Sequence, residues 1–222
     1  MAIQKISFKY IFDLLNAHAK PMLMVFSFVV AILFLFFAHK LWVIKRESAA
    51  HYDFASLVSE YDIMSRDKNP QWSELLEKFE KSYDKHSSSS LLPYYFGYKV
   101  QILLAQDKKE EALVTLDTMI SDMPGSPLLA SYKMERALIQ LDSDDGELEA
   151  VALQALKGLA DDTDNIFRDS AQYYLGRYYW AHNNVDAARE VWQQLVDEQR
   201  DEKIAPSPWV DQVKAQLELT IV

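Results

Sequence analysis

Catalysis needs nucleophiles, bases or metal ligands within reach of one another, and in this chain the histidines and carboxylates are the first candidates. The five histidines, His18, His39, His51, His86 and His182, fall at no ligand spacing. No H-x-x-x-H pair, P-loop, GxGxxG or G-x-S-x-G is present. Cysteine is absent, which removes disulfides, thiolate nucleophiles and cysteine zinc sites. Asp142, Asp144, Asp145, Glu147 and Glu149 form one acidic cluster, and Asp161, Asp162 and Asp164 another. Neither has the spacing, central Gly and closing Glu of a calcium loop, so both read as solvated connections between helices. No catalytic residue, metal ligand or cofactor is expected, and the chain does not read as an enzyme.

The remaining chemistry is that of recognition. Tyr94, Tyr95, Phe96 and Tyr98 crowd one segment, and Tyr173, Tyr174, Tyr178, Tyr179 and Trp180 another. Tyrosine offers apolar area and a hydroxyl at modest entropic cost, which suits contact with a partner. Tyr95, Tyr98, Tyr174 and Tyr178 are expected to line a partner-binding groove, with the other rings packed as core.

Five Gly and seven Pro among 222 residues leave the chain rich in helix formers, so the elements holding these rings are helices. Charge divides the chain: residues 1–46 carry +5 and residues 47–222 carry -15. So acidic a part is repelled by nucleic acid and by an anionic membrane surface, and no nucleic-acid partner is expected.

Residues 21–38 contain no charge, and at about 1.5 Å per residue they cover most of a bilayer's hydrocarbon core. A transmembrane helix is expected over residues 21–44, in contact with lipid. Phe26, Phe34 and Phe37 are its apolar anchors, Trp42 is its interfacial ring, and Pro21 sits at its first turn, where a missing N–H costs nothing. Lys5, Lys9 and Lys20 before the span balance Lys40, Lys45 and Arg46 after it, so charge does not orient it. Residues 1–20 form a short arm, with Ile3, Ile6, Tyr10, Leu14 and Ala17 at amphipathic spacing.

Residues 45–92 read as a helical connector or first helix pair. A helix over residues 48–64 continues the membrane helix and carries Tyr52, Ala55, Val58 or Ser59, and Asp62 or Ile63 at helical spacing. A second follows over 71–86, its apolar face made of Trp72, Leu75, Leu76, Phe79 and Tyr83. Three helix pairs then occupy residues 93–205: 93–106 with 110–122, 126–141 with 147–160, and 167–181 with 185–200. A capping helix within 206–222 closes the series. Isolated pairs of this size cannot bury their apolar stripes, so they stack. Asp142 or Ser143 is expected to cap the helix near Glu147, and Ser207 the last helix.

The third pair resembles a tetratricopeptide repeat. Leu175 and Gly176 match its Leu-Gly pair, Tyr179 the aromatic three residues on, Ala188 the small residue of the second helix, and Trp192 and Leu195 the later packing positions. Gly176 and Ala188 fall where two backbones approach too closely for a large side chain. In the first pair Ala112 and Leu116 take these places beside Phe96, Leu103, Met119 and Pro124, but Val100 stands where Gly or Ala is usual. The middle pair departs furthest, with its acidic loop in place of a tight turn. The fold class expected is all-α: an N-terminal transmembrane helix followed by a tetratricopeptide-like right-handed solenoid.

Across residues 26–222 the chain resembles the ancillary subunit family of the bacterial Sec translocon, chaperone-like proteins of the periplasm. The resemblance rests on the Leu175–Gly176–Ala188–Trp192 unit, on the EEALVTLDTMI helix and on the closing WVDQVKAQLELTIV segment. It implies a single-pass inner-membrane protein with a cytoplasmic N-terminus and periplasmic repeats, which binds translocon subunits, periplasmic folding factors and exported chains. The longer arm and the longer helical stretch before Pro93 depart from that family. A scaffold assembling another bacterial envelope complex stays open as the alternative.

Overall fold

A computed structural model describes the backbone of residues 8–143, 145–198 and 207–219 and the side chains of residues 23–143, 145–198 and 207–218. The amphipathic pattern of the arm, the ring of Pro21, Asp144 and residues 199–206 and 220–222 lie outside the described residues. Among those described there are nine α-helices and no strand.

The first helix, α1 (Phe8–Met64), is 57 residues long, about 85 Å at 1.5 Å per residue. No glycine lies within it. Because it begins at Phe8, Pro21 lies in its interior and not at a first turn as expected. Its missing N–H therefore removes one bond of the helical ladder.

Among the described residues of this helix, an 18-residue window has a mean hydropathy of 2.2, and none of that window is buried within the protein. Phe26, Phe34, Phe37 and Trp42 are all exposed. At the end of the apolar stretch the Arg46 guanidinium lies 5.3 Å from the Trp42 ring and Lys40 5.7 Å from that of Phe36. This helix is long and apolar enough to cross a membrane.

Beyond it the same helix becomes part of the folded core. Ala50, Phe54, Leu57, Tyr61 and Met64 recur at spacings of four and three and pack against Leu75, Phe79, Leu91 and Ile102. This corrects the expected face: Tyr52 is 78% exposed and Ala55 is also exposed. The larger side chains set the orientation, since turning Phe54 and Leu57 inward removes more apolar area from water than turning Ala55. Ser65 N–H still finds the Tyr61 carbonyl at 2.8 Å, after which an Asx turn, Asn69 N–H to Asp67 Oδ1 at 3.0 Å, leads into Pro70.

Seven more helices follow: α2 (Trp72–Lys85), α3 (Leu92–Ala105), α4 (Lys109–Asp122), α5 (Leu129–Leu141), α6 (Gly146–Asp161), α7 (Arg168–Ala181) and α8 (Val185–Glu198). The last, α9 (Val210–Leu219), packs on α8. Each helix packs mainly on its neighbours in sequence, so the pairs form a linear stack. Four apolar clusters lie along it: α1–α2–α3, α3–α4–α5, α5–α6–α7 and α7–α8–α9.

The second helices bury a repeated set: Ala112, Leu116 and Met119 in α4, Ala152, Leu156 and Ala160 in α6, Ala188, Trp192 and Leu195 in α8. Facing these, Val100, Ala137 and Gly176 are buried at the matching position of the first helices. At Gly176 a Cβ would lie 2.5 Å from Cδ1 and Cε2 of the Trp192 indole, which explains the glycine. The indole N–H donates to the Tyr173 carbonyl at 3.2 Å.

Two connections share one geometry. Asp107 (φ 60°) and Asn183 (φ 58°) adopt the left-handed conformation. The next N–H in each returns to the first helix, Lys108 to the Leu103 carbonyl and Asn184 to that of Tyr179, both at 2.9 Å. The middle pair uses its acidic loop instead. Asp145, and neither Asp142 nor Ser143, caps α6: its carboxylate accepts from the N–H groups of Glu147 and Leu148 at 2.9 and 3.3 Å. Asp142 pairs with Lys109 Nζ at 2.5 Å. Ser207 Oγ accepts from Trp209 N–H at 3.3 Å just before α9.

Polar contacts tie distant segments together. Arg168 grips Glu198 with both terminal nitrogens at 2.7 and 2.8 Å and donates from Nε to the Ala160 carbonyl at 2.9 Å. Where α1 leaves its apolar stretch, Glu47 accepts from Ser89 Oγ at 2.9 Å, Ser90 N–H at 3.0 Å and the Ser90 hydroxyl. Asp53 accepts from Lys85 Nζ at 2.7 Å and pairs with Nε2 of the buried His86 at 2.8 Å. The bonds from Ser90 and from Lys85 hold the Glu47 and Asp53 carboxyls below the usual carboxylate range.

Candidate functional site

Alignment of the first helices on Val100, Ala137 and Gly176 shows which side chains share a face. Two residues earlier stand Tyr98, Glu135 and Tyr174; one residue later stand Gln101, Leu138 and Arg177. These positions are half-buried or exposed, whereas the positions they flank are sealed in the core. In a stack of pairs such a row forms a continuous surface with one contribution from each repeat.

Contacts from helix to helix establish that continuity at its N-terminal end. The Tyr61 ring of α1 meets Tyr98 of α3 edge to face at 5.1 Å. Phe79 stacks behind Tyr98 at 5.4 Å, and Phe54 and Trp72 support the pair. The Gln101 amide of α3 donates to the Glu135 carboxylate of α5. Burial pushes both tyrosine hydroxyls above their ordinary range, and the charge of Glu135 adds to the effect at Tyr61. Glu135 itself is the most perturbed acid here. Burial pushes its carboxyl up to about 7, although the Gln101 bond acts in the opposite direction.

At the other end Tyr174 meets Tyr173 at 5.3 Å and Trp209 at 5.6 Å. Trp209 stacks on Tyr173 at 4.4 Å and donates from Nε1 to Ser170 Oγ at 2.8 Å. Trp209, the residue just before α9, thus sets its indole against this face and closes the row.

Of the four rings expected in a groove, Tyr98 and Tyr174 lie on this surface and two do not. Tyr95 is only 2% exposed; it occupies the register position that Tyr132 and Ala171 fill in the later repeats, all three buried. Its hydroxyl bonds Ser82 Oγ at 2.8 Å and its ring lies 4.8 Å from Phe54. Its free edge lines a separate apolar cleft of about 250 Å³ with Phe79, Tyr83 and Phe96, rimmed by the Glu80–Lys99 pair at 2.7 Å. Tyr178 shares its register with Ile102 and Ile139 and turns towards the preceding pair. There it donates to Glu149 Oε1 at 2.7 Å and lies 4.1 Å from the His182 ring. Burial first, and then Glu149, push its hydroxyl up to about 12.

Sequence reasoning missed Tyr61, Gln101 and Glu135. A countable signal existed: two residues before each close-approach position gives Tyr98, Glu135 and Tyr174 directly. Attention to aromatic type alone passed over the glutamate in the series.

The fold and this face together define an all-α, membrane-associated protein of tetratricopeptide-like helix pairs. Comparison with family models and with curated proteins gives no match.

Proposed function

We propose that this protein holds segments of other proteins against the inner face of its first helices, close to a membrane, and that it serves as a chaperone-like accessory factor of the Sec translocon. The observation that carries the first part is the row Tyr61, Tyr98, Gln101, Glu135 and Tyr174. It offers apolar area with polar edges from four consecutive first helices, the composition that peptide-binding surfaces use. The second part rests on the resemblance carried by the Leu175–Gly176–Ala188–Trp192 unit and the C-terminal segment, and with it go a cytoplasmic N-terminus and periplasmic repeats. Exported chains emerging at a membrane surface are extended, so a surface built for unfolded segments suits them as clients.

A photoreactive residue at Tyr98, with a second at Leu138, tests this in cells. Translocon subunits together with varied exported chains are the expected captures. Repeated capture of one folded envelope protein without exported clients overturns the chaperone assignment in favour of a scaffold. Because the chain has no cysteine, a single cysteine at Asn184 reports topology alone: labelling by a membrane-impermeant maleimide in cells with a permeabilised outer membrane is expected, and protection overturns the assigned orientation.

A further inference from the structure

We infer that the surface cluster of Tyr61, Tyr98, Gln101 and Glu135 takes a basic side chain, arginine or lysine, from an extended segment of a partner protein. The inference rests on the protein-binding reading above and gives it a chemical preference.

The carboxylate supplies the first argument. Glu135 is half-buried, and its bonded partner is a neutral amide; no basic side chain among the described residues pairs with it. Arg136, next to it in the chain, pairs with Asp117 at 2.5 Å, Lys99 pairs with Glu80 and Lys78 with Glu60, Arg177 lies over the Tyr173 ring at 5.9 Å, and Lys133 is exposed. An ionised carboxylate can accept about four hydrogen bonds, so one amide leaves most of its acceptor capacity open. Partial burial without a cation is what raises its proton affinity, and an incoming cation would relieve that cost.

The second argument is the company it keeps. Tyr61 and Tyr98, half-buried, meet each other at 5.1 Å, and Tyr61 lies within the field of Glu135; aromatic faces attract ammonium and guanidinium groups. Apolar rings receive the aliphatic stem of an arginine or lysine, and the carboxylate receives its head. Charge complementarity extends beyond this cluster, since residues 47–222 carry a net -15. That field draws basic segments towards the face and repels acidic ones.

The test uses the full chain in nanodiscs of zwitterionic phosphatidylcholine, so that no headgroup charge competes. Flexible fluorescent peptides differing only at one central residue, arginine, norleucine or glutamate, are titrated and followed by anisotropy. The arginine peptide is expected to bind roughly ten-fold tighter than the norleucine peptide, as a carboxylate pair with ring contact supplies. Glu135→Gln is expected to bring that ratio close to one, and a circular dichroism spectrum matching the parent's shows that the variant is folded. A ratio that survives in Glu135→Gln overturns the basic-residue site but not the protein-binding face. Failure of all three peptides to bind the unmodified chain overturns both.

Discussion

Replacing Gly176 with alanine sets two well-understood effects against each other. Alanine is the better helix former, and in the middle of α7 the exchange would by that measure stabilise by about 0.5–1 kcal/mol. The structure argues for the opposite sign. The added Cβ would lie 2.5 Å from two atoms of the Trp192 indole, well inside contact distance. Trp192 is fully buried and its N–H is committed to the Tyr173 carbonyl at 3.2 Å, so it cannot rotate away without losing that bond. Overpacking of a closed core costs about 1–3 kcal/mol, and loss of the indole bond about 1 kcal/mol more. The net expectation is destabilisation by about 2 kcal/mol, felt at the α7–α8 end of the stack, where cooperativity with distant repeats is weakest. Urea unfolding of the full chain in detergent micelles, followed by tryptophan fluorescence and circular dichroism, measures it. In the background of Trp192→Leu, which opens space at the contact, the same alanine is expected to be neutral or stabilising. A Gly176→Ala protein at least as stable as the parent would refute the close-approach argument, whatever the double variant shows.

Other expectations concern charge. Glu135 has its folded-state pKa raised from 4.5 to about 7, so the folded protein binds more protons than the unfolded one between those values. Stability should therefore fall as pH rises through that window and level off above it. Full conversion of the displacement gives roughly 3 kcal/mol, and solvent access to a half-buried group reduces this to about 1–2 kcal/mol. Relative to the parent, Glu135→Gln should gain midpoint stability from pH 4.5 to 7; a constant difference across that range contradicts the assignment. Arg168→Met should cost about 2 kcal/mol in the same unfolding assay, since it removes a two-pronged pair and leaves the Glu198 carboxylate without its cation. A loss below about 0.5 kcal/mol would place the pair among ordinary surface bridges.

Legibility in the sequence followed the tightness of packing. Gly176, Ala188, Trp192 and Leu195 could be read from type and spacing because close backbone approach admits few residues. Ala112 and Leu116 were readable for the same reason even with Val100 opposite. The middle pair was harder: twelve residues separate Val100 from Ala112 and Gly176 from Ala188, but fifteen separate Ala137 from Ala152. Its extra length is an acidic loop that shifts the apparent register. The face of a surface ring was not legible from its chemistry. Tyr95 and Tyr98 are both tyrosines three residues apart, and only their offsets from Val100 place one in the core and the other on the face. Tyr52 misled for a related reason, since a large ring suggested burial while Phe54 and Leu57 already determined which side of α1 turned inward.

The unbroken α1 acts as a ruler. From Trp42, at the end of the apolar stretch, to Tyr61, at the start of the aromatic row, nineteen residues of continuous helix span at most about 28 Å. An extended chain advances about 3.3 Å per residue, so with α1 upright some eight or nine residues of a segment leaving the bilayer surface reach Tyr61 and Tyr98, and fewer suffice as α1 tilts. The tilt of one helix thereby tunes how much of a segment must be exposed before the face can hold it.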